Sequence, residues 1–123
     1  MSLPEYIAAE PILSSLDVRE ALNFYEDVLG FEGIIAGDYP HAILRKDRIV
    51  IHLLQTEDAD LPRLSSCRLV VTHIDVLFDE YETMGIIHPD GDLQKQPWGT
   101  HEFSVLDPEG NMITFVQMPD KED

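Results

Sequence analysis

The single tryptophan of the chain, Trp98, lies in a Pro-Trp-Gly segment at the entrance to a predicted strand. A ring held beside proline can offer a flat, rigid face to planar or cationic groups, or it can cover the end of the core. In the strand that follows, His101 and Phe103 share one face and Glu102 points to the other. We expect Glu102 to line a binding groove, with a structural or exposed acid as the alternative.

One histidine has a strand context that directs it away from the core. His52 alternates with the apolar residues Ile51 and Leu53. If these two are buried, His52 faces the groove, where an imidazole can donate a hydrogen bond or stack. The sequence offers no nucleophile–base pair, no phosphate-binding loop, no dinucleotide turn and no nucleophile elbow. Cys67, beside the apolar pattern Leu69–Val71, is expected to be a buried thiol and not a nucleophile.

The net charge of the chain indicates which classes of binding partner are favoured. The chain has 123 residues, the size of one domain, and a net charge of −16. Such a charge repels nucleic acid and anionic membrane surfaces and favours cationic ligands, although acidic residues also simply maintain solubility. With one cysteine, no intrachain disulfide forms. Neither a secretory signal nor a run of about 20 apolar residues is present, so we expect a cytoplasmic protein.

Two helices of similar pattern must position these residues. In the first half, a strand at 12–16 precedes Asp17, which can cap a helix together with Glu20, and Gly30 ends that helix. In the second half, a strand at 67–71 precedes a cap pair, Thr72 and Asp75, and the helix ends at Gly85. The apolar helix positions match at one constant offset along the chain, which pairs Val18, Leu22 and Tyr25 with Ile74, Phe78 and Tyr81.

A β-hairpin follows each helix. The first has its polar turn at 45–48 and the second at 107–111. We therefore predict an α+β domain over residues 1–123, in which two modules, about 7–56 and 65–117, face each other across a pseudo-two-fold axis. A linker at about 57–64 joins them, and residues 118–123 form an acidic tail. The alternative is that helices and hairpins occur in this order by chance.

Two segments of the sequence resemble a known superfamily. The segment 11–32, with its Asn-Phe-Tyr-Glu-Asp-Val-Leu-Gly-Phe motif, and the segment 96–116, with Pro-Trp-Gly and Asp-Pro-Glu-Gly-Asn, resemble the vicinal oxygen chelate proteins. These include glyoxalases, bleomycin resistance proteins and extradiol dioxygenases, and the second segment is most similar to the bleomycin-resistance branch. The resemblance implies paired βαβββ modules, mixed sheets curved around a cleft, and a homodimer with clefts at the subunit interface.

The resemblance also places the metal-ligand positions of the superfamily. These fall on Glu10, His52, Ser66 and Thr114. The second module supplies only hydroxyls there, which are poor ligands for zinc, nickel or iron. We therefore expect neither a metal nor another cofactor, and no catalysis. The alternative is a metal-dependent lyase, isomerase or dioxygenase that uses Glu10 and His52.

For the bleomycin-resistance branch, the resemblance implies sequestration of a cationic glycopeptide drug without chemical change. It matches Trp98 to a family tryptophan, and Asp38 with Tyr39 to an acidic–aromatic pair that would attract a cation and stack on a ring. We also expect His101 to bind the ligand, at a position where the family usually has arginine. The strand at 67–71 lacks a further tryptophan and carries Arg68. A module that binds a small metabolite, with no resistance role, is a further alternative.

Overall fold

The computed structural model describes residues 2–35 and 40–120. The first module consists of β1 (Ile12–Ser15), α1 (Val18–Asp27), β2 (Glu32–Ile35), β3 (His41–Lys46) and β4 (Ile49–Gln55). A one-turn helix, α2 (Leu61–Leu64), follows. The second module consists of β5 (Ser66–Val70), α3 (Ile74–Thr83), β6 (Gln94–Lys95), β7 (His101–Leu106) and β8 (Met112–Gln117).

The two modules have the same strand topology. The first sheet has the order β1-β4-β3-β2 and the second β5-β8-β7-β6. In each, the strand before the helix runs parallel to the last strand, and the other neighbours are antiparallel. The predicted α+β architecture of two βαβββ modules is therefore confirmed. Equivalent register positions agree as well, since Ile12 pairs with His52 and Arg68 pairs with Thr114.

The first helix forms as its sequence predicts. The side chain of Asp17 accepts a hydrogen bond from the Glu20 amide at 3.1 Å, which satisfies a donor that the helix leaves free. Gly30 follows the helix at φ +78°, a left-handed conformation that glycine adopts without a side-chain clash. Gly85 ends α3 in the same way at φ +74°. The two helices are equally long, and they begin at the matched positions Val18 and Ile74.

The cap predicted for α3 is wrong. His73, and not Thr72, is the N-cap residue, at φ +53°, and its side chain makes no capping bond. The amide of Ile74 instead donates to Oε1 of Gln117 at 2.9 Å. The acceptor comes from the end of β8, so the helix start is stabilised by a distant strand. The segment predicted as the linker contains the one-turn helix α2, in which Pro62 is buried.

One core joins both modules. The buried face of the first sheet carries Leu13, Leu44, Ile51 and Leu53, and that of the second carries Cys67, Leu69, Phe103, Val105, Ile113 and Phe115. In the second module Phe103 stacks on Phe115 at 5.0 Å, with the ring of Tyr81 against both. The opposite face of each sheet is more open, as the exposed side chains of Ile12 and Val70 show.

The turn between β7 and β8 links the second module to the first. Tyr25 donates its buried hydroxyl to Asp107 at 2.6 Å. Glu109 accepts hydrogen bonds from the hydroxyl of Ser15 at 2.5 Å and from the amide of Leu16 at 2.6 Å. The side-chain amide of Asn111 donates to the Ser14 carbonyl at 2.9 Å. These bonds connect one module's turn to the strand–helix junction of the other.

Candidate ligand-binding faces

The open face of the second sheet holds a polar network around Glu102. Arg68 donates two hydrogen bonds to this carboxylate, at 3.1 and 2.8 Å. Thr100 donates its hydroxyl at 2.6 Å, and Trp98 donates its indole Nε1–H at 3.2 Å. Glu102 itself is buried. Three side chains thus converge on one carboxylate, with Trp98 at the edge of the group.

This environment sets the charge state of Glu102. The hydrogen bonds from Arg68, followed by those from Thr100 and Trp98, lower the pKa of Glu102 to about 2 against the opposing effect of burial. The same pair raises the pKa of the Arg68 guanidinium. Glu102 is therefore ionised at neutral pH, and its charge is compensated within the protein. In the structure this carboxylate positions Trp98; a direct contact of Glu102 with a ligand stays a prediction.

Trp98 is held at one edge only. Its Nε1–H is bound to Glu102, while 65% of the side chain is exposed. The residue lies in the loop between β6 and β7, as expected from its Pro-Trp-Gly context. An indole fixed at its edge with an open ring can stack on a planar group or bind a cation. A plug over the core would be buried, so the exposure favours the binding interpretation.

The open face of the first sheet holds a chain of three side chains. Nε2 of His52 lies 2.6 Å from a carboxylate oxygen of Glu10, and Nδ1 of His52 lies 2.8 Å from Nε2 of His41. Since a carboxylate accepts, Nε2 of His52 carries a proton, and a neutral His52 then accepts from His41. His52 is half-buried, and the two imidazole rings are 5.0 Å apart. The chain links the N-terminal segment to the sheet.

The contact between the two histidines follows from the strand register. The turn between β3 and β4 holds only Asp47 and Arg48, which pairs Ile43 with His52 and His41 with Leu54. His41 and His52 are therefore diagonal neighbours on one face. Sequence reasoning placed the turn at 45–48 and assigned His41 no partner. The alternation of the two strands, extended through a two-residue turn, was the signal that could have found the pair.

Of the four positions aligned with metal ligands, two are hydrogen-bonded to each other. Glu10 and His52 meet in the first module. In the second, Thr114 is hydrogen-bonded to the hydroxyl of Ser104 at 2.8 Å. Throughout 2–35 and 40–120, no three His, Cys, Asp or Glu side chains come together in a way that could hold a metal ion. Hydroxyls are weak ligands for transition metals, so the donor set fits such an ion poorly.

The other residues predicted to bind the ligand do not join Trp98, Glu102 or His52 in the described structure. His101 is exposed and lies on the strand face of Phe103, opposite to that of Glu102. Asp38 and Tyr39 lie outside the described residues. Cys67 is buried, and burial raises the pKa of its thiol to about 11, so it is a thiol at neutral pH. In the part of the chain that the structure covers, no helix is long and apolar enough to cross a membrane.

Two surface cavities of the described structure are not lined by the predicted ligand residues. One, of about 550 Å³, lies beside α3, and the other, of about 510 Å³, lies beside α1. Glu102 and His52 instead lie on open sheet faces, and Trp98 lies in the loop beside Glu102. The fold and these faces define a class of protein: a two-module βαβββ scaffold that presents aromatic, imidazole and carboxylate groups on an open surface.

Comparison with known proteins identifies the family. Residues 12–115 match the model of the Glyoxalase/Bleomycin resistance protein/Dioxygenase superfamily. The chain belongs to this superfamily. It is 32% identical to a bleomycin resistance protein of Geobacillus stearothermophilus, over 87% of this chain and 93% of that protein. A bleomycin resistance protein of Staphylococcus aureus matches with the same identity and coverage.

Solved structures agree with this assignment. The bleomycin-binding protein of Streptomyces verticillus, complexed with copper(II)-bleomycin, superposes with a TM-score of 0.80 at 27% identity, over 97% of this chain and 100% of that chain. The bleomycin resistance determinant encoded on transposon Tn5 superposes with a TM-score of 0.77 at 22% identity, over 92% and 98%. At 22% identity, the similarity to the Tn5 protein shows a shared fold.

Proposed function

We propose that this protein binds bleomycin-type cationic drugs and sequesters them unchanged in the cytoplasm, which confers resistance. The observation that carries the proposal is the exposed indole of Trp98, fixed at its edge by Glu102. A net charge of −16 draws a cationic ligand towards the protein from a distance. The names of the relatives at 32% identity support the same drug class.

The proposed site is completed by a second subunit. His52 lies on the open face of the first sheet and Trp98 lies in the loop beside Glu102 on the second, and neither residue lines the two cavities described above. A drug-sized ligand is bound well only when most of its surface is covered. A homodimer that places the open face of one subunit's sheet against that of its partner would provide the second wall. We propose that Trp98 stacks on the planar part of the drug there, and that His52 supplies a hydrogen bond.

Titration of the purified protein with bleomycin tests the proposal, with the fluorescence of Trp98 as the signal. We expect saturable quenching at micromolar or lower drug, with one drug bound per subunit. Because the protein has one tryptophan, the signal reports on this site alone. Drug released by denaturing the complex should have its original mass. No change in fluorescence and no heat of binding at micromolar drug would remove bleomycin as the ligand.

The Glu10–His52 pair supports a second candidate, a metal-dependent lyase, isomerase or dioxygenase. This candidate requires a divalent metal bound in stoichiometric amount. Elemental analysis of the protein, compared with a His52→Ala variant, distinguishes the two. A stoichiometric metal that is lost in the variant would favour the enzyme, whereas trace metal in both proteins would favour sequestration.

A further inference from the structure

The β7–β8 turn of the second module is hydrogen-bonded to the first module. Within the residues that the structure describes, the β3–β4 turn of the first module makes no equivalent contact with the second. In the β7–β8 turn, Glu109 accepts hydrogen bonds from Ser15 and from the amide of Leu16, next to the start of α1. Tyr25 donates to Asp107 close by. The turn spans residues 107–111, which is long enough to bring these carboxylates across to the other module.

The corresponding turn of the first module is too short to do the same. Between β3 and β4 lie only Asp47 and Arg48. The offset that maps the start of α1 onto the start of α3 also maps Leu16 onto Thr72 and Tyr25 onto Tyr81. The cavity of about 510 Å³ at the start of α1 is lined by Glu109, which binds the Leu16 amide. At the equivalent position beside α3 lies the cavity of about 550 Å³, where none of the described carboxylates accepts from the Thr72 amide. Its volume is in the range of small-molecule sites.

The cavity is lined by apolar side chains and by a backbone amide that has no acceptor among the described residues. Its lining includes Leu77, Tyr81 and Phe115. Within the described residues the amide of Thr72, equivalent to the Leu16 amide that Glu109 binds, has no hydrogen-bond acceptor. The hydroxyl of Tyr81 is buried and has only a long contact, 3.5 Å to the Leu29 carbonyl. Burial raises the pKa of Tyr81 to about 12, so the hydroxyl remains a donor at neutral pH.

Charged side chains at the rim of the cavity bear on which ligands it can bind. Lys46 and Arg48 border the cavity, together with Asp47 and Glu80. Arg48 has no ion-pair partner among residues 2–35 and 40–120, and Lys46 has only a 3.4 Å contact to the Gly30 carbonyl. Neither cation is neutralised by an ion pair within the described residues, so both can bind an anionic group at this rim.

We propose that this cavity is a second ligand site, which binds a small amphipathic carboxylate with an aromatic or alkyl body. The carboxylate takes the place that Glu109 has in the other half, accepting from the Thr72 amide between Lys46 and Arg48. The apolar body covers Leu77 and Phe115. None of Trp98, Glu102 and His52 lines this cavity, so the site is independent of the drug-binding proposal.

Sodium 2-naphthoate, with 2-naphthamide as its neutral analogue, tests the site in the full-length protein at about 150 mM salt, where surface charges are screened beyond roughly 8 Å. In two-dimensional 1H–15N NMR spectra, naphthoate should cause a saturable chemical-shift change of the Thr72 amide and no change of the Leu16 amide. The amide analogue should bind about tenfold more weakly, since it lacks the charge-assisted hydrogen bonds. Arg48→Met should weaken naphthoate binding several-fold, and Arg19→Met, which removes an exposed cation from α1, should leave it unchanged.

Three results would overturn the site: no shift at Thr72, equal affinity for naphthoate and naphthamide, or equal effects of the two arginine variants. A fourth is a Thr72 shift that grows with protein concentration alone, which would assign the cavity to a second copy of the chain. Leu77→Trp provides an independent check because it places a larger side chain in the lining of the cavity. We expect this variant to lose naphthoate binding while bleomycin binding, measured as heat, persists.

Discussion

The buried carboxylate of Glu102 lies 3.2 Å from the indole nitrogen of Trp98, and Arg68 and Thr100 bind the same carboxylate. The exposed indole of Trp98 is therefore hydrogen-bonded to a carboxylate that Arg68 and Thr100 hold in place. This arrangement reduces the freedom that the indole would lose on stacking against a ligand. Affinity gained in this way comes from preorganisation and not from additional contacts.

Replacement of Trp98 by alanine should weaken bleomycin binding by at least tenfold. Stacking and cation–π contacts of one ring contribute about 0.5–2 kcal/mol, and loss of buried apolar area adds to this. Because 65% of the side chain is exposed, the free energy of unfolding should change by less than about 1 kcal/mol. Isothermal calorimetry and urea unfolding measure both. Tyr6→Ala, at another exposed aromatic, is the control, and equal losses in the two variants would contradict a specific role for Trp98.

The Glu102→Gln variant should lose stability in a pH-dependent way. The pKa of Glu102 is about 2 in the folded protein, below its ordinary value of 4.5, so the ionised form stabilises the fold. This contribution is fully present above about pH 4.5 and is lost as the pH falls towards 2. At pH 7 we expect the variant to be less stable by about 1–3 kcal/mol. Thermal melting of both proteins from pH 7 to pH 2.5 should show the difference shrinking.

An exposed acid on α3 provides the control for that experiment. Glu82 has an exposed side chain, so Glu82→Gln should leave the stability nearly unchanged at every pH. A constant difference between wild type and Glu102→Gln down to pH 2.5 would show that the loss comes from packing and not from the ionised carboxylate. Bleomycin affinity should also fall in Glu102→Gln, since Trp98 loses a charged hydrogen-bond partner.

The two pseudo-equivalent tyrosines provide a matched pair. Tyr25 donates to Asp107 at 2.6 Å, and burial followed by the charge of Asp107 raises the pKa of this tyrosine. Tyr25→Phe removes the donor and should destabilise the protein by about 1–3 kcal/mol. In Tyr81→Phe only a 3.5 Å contact is lost, and the cost should stay below about 1 kcal/mol. Urea unfolding measures both, and a larger cost for Tyr81→Phe would contradict the asymmetry between the two turns.

His52 and His101 should differ in their effect on drug binding. His52 lies on the open face of the first sheet between Glu10 and His41, whereas His101 lies on the face of Phe103. His52→Ala should weaken bleomycin binding about three- to tenfold through loss of a hydrogen bond. His101→Ala should have no effect within a factor of two or so. Calorimetry measures both, and the reverse order would place the ligand on the other side of β7.

The local sequence specified most of the fold. Apolar residues at helical spacing, the Asp17 cap, and the glycines at 30 and 85 are short-range signals, because each depends on residues within one or two turns of the chain. The same holds for the alternation that directs His52 and Glu102 away from the core. The recurrence of these signals in the second half of the chain predicted two equivalent modules, and the βαβββ order followed from the resemblance of two motifs to a known superfamily.

What the tertiary structure decided was which distant side chains meet. The cap of α3 by Gln117, the pairing of Arg68 with Glu102 and the contact of His41 with His52 all join different strands or helices. Cavities of similar volume lie at the starts of α1 and α3, but among the described residues only the turn at 107–111 places a carboxylate, that of Glu109, on the backbone amide there. A one-dimensional pattern specifies the face on which a residue lies, but strand order and register determine its neighbours.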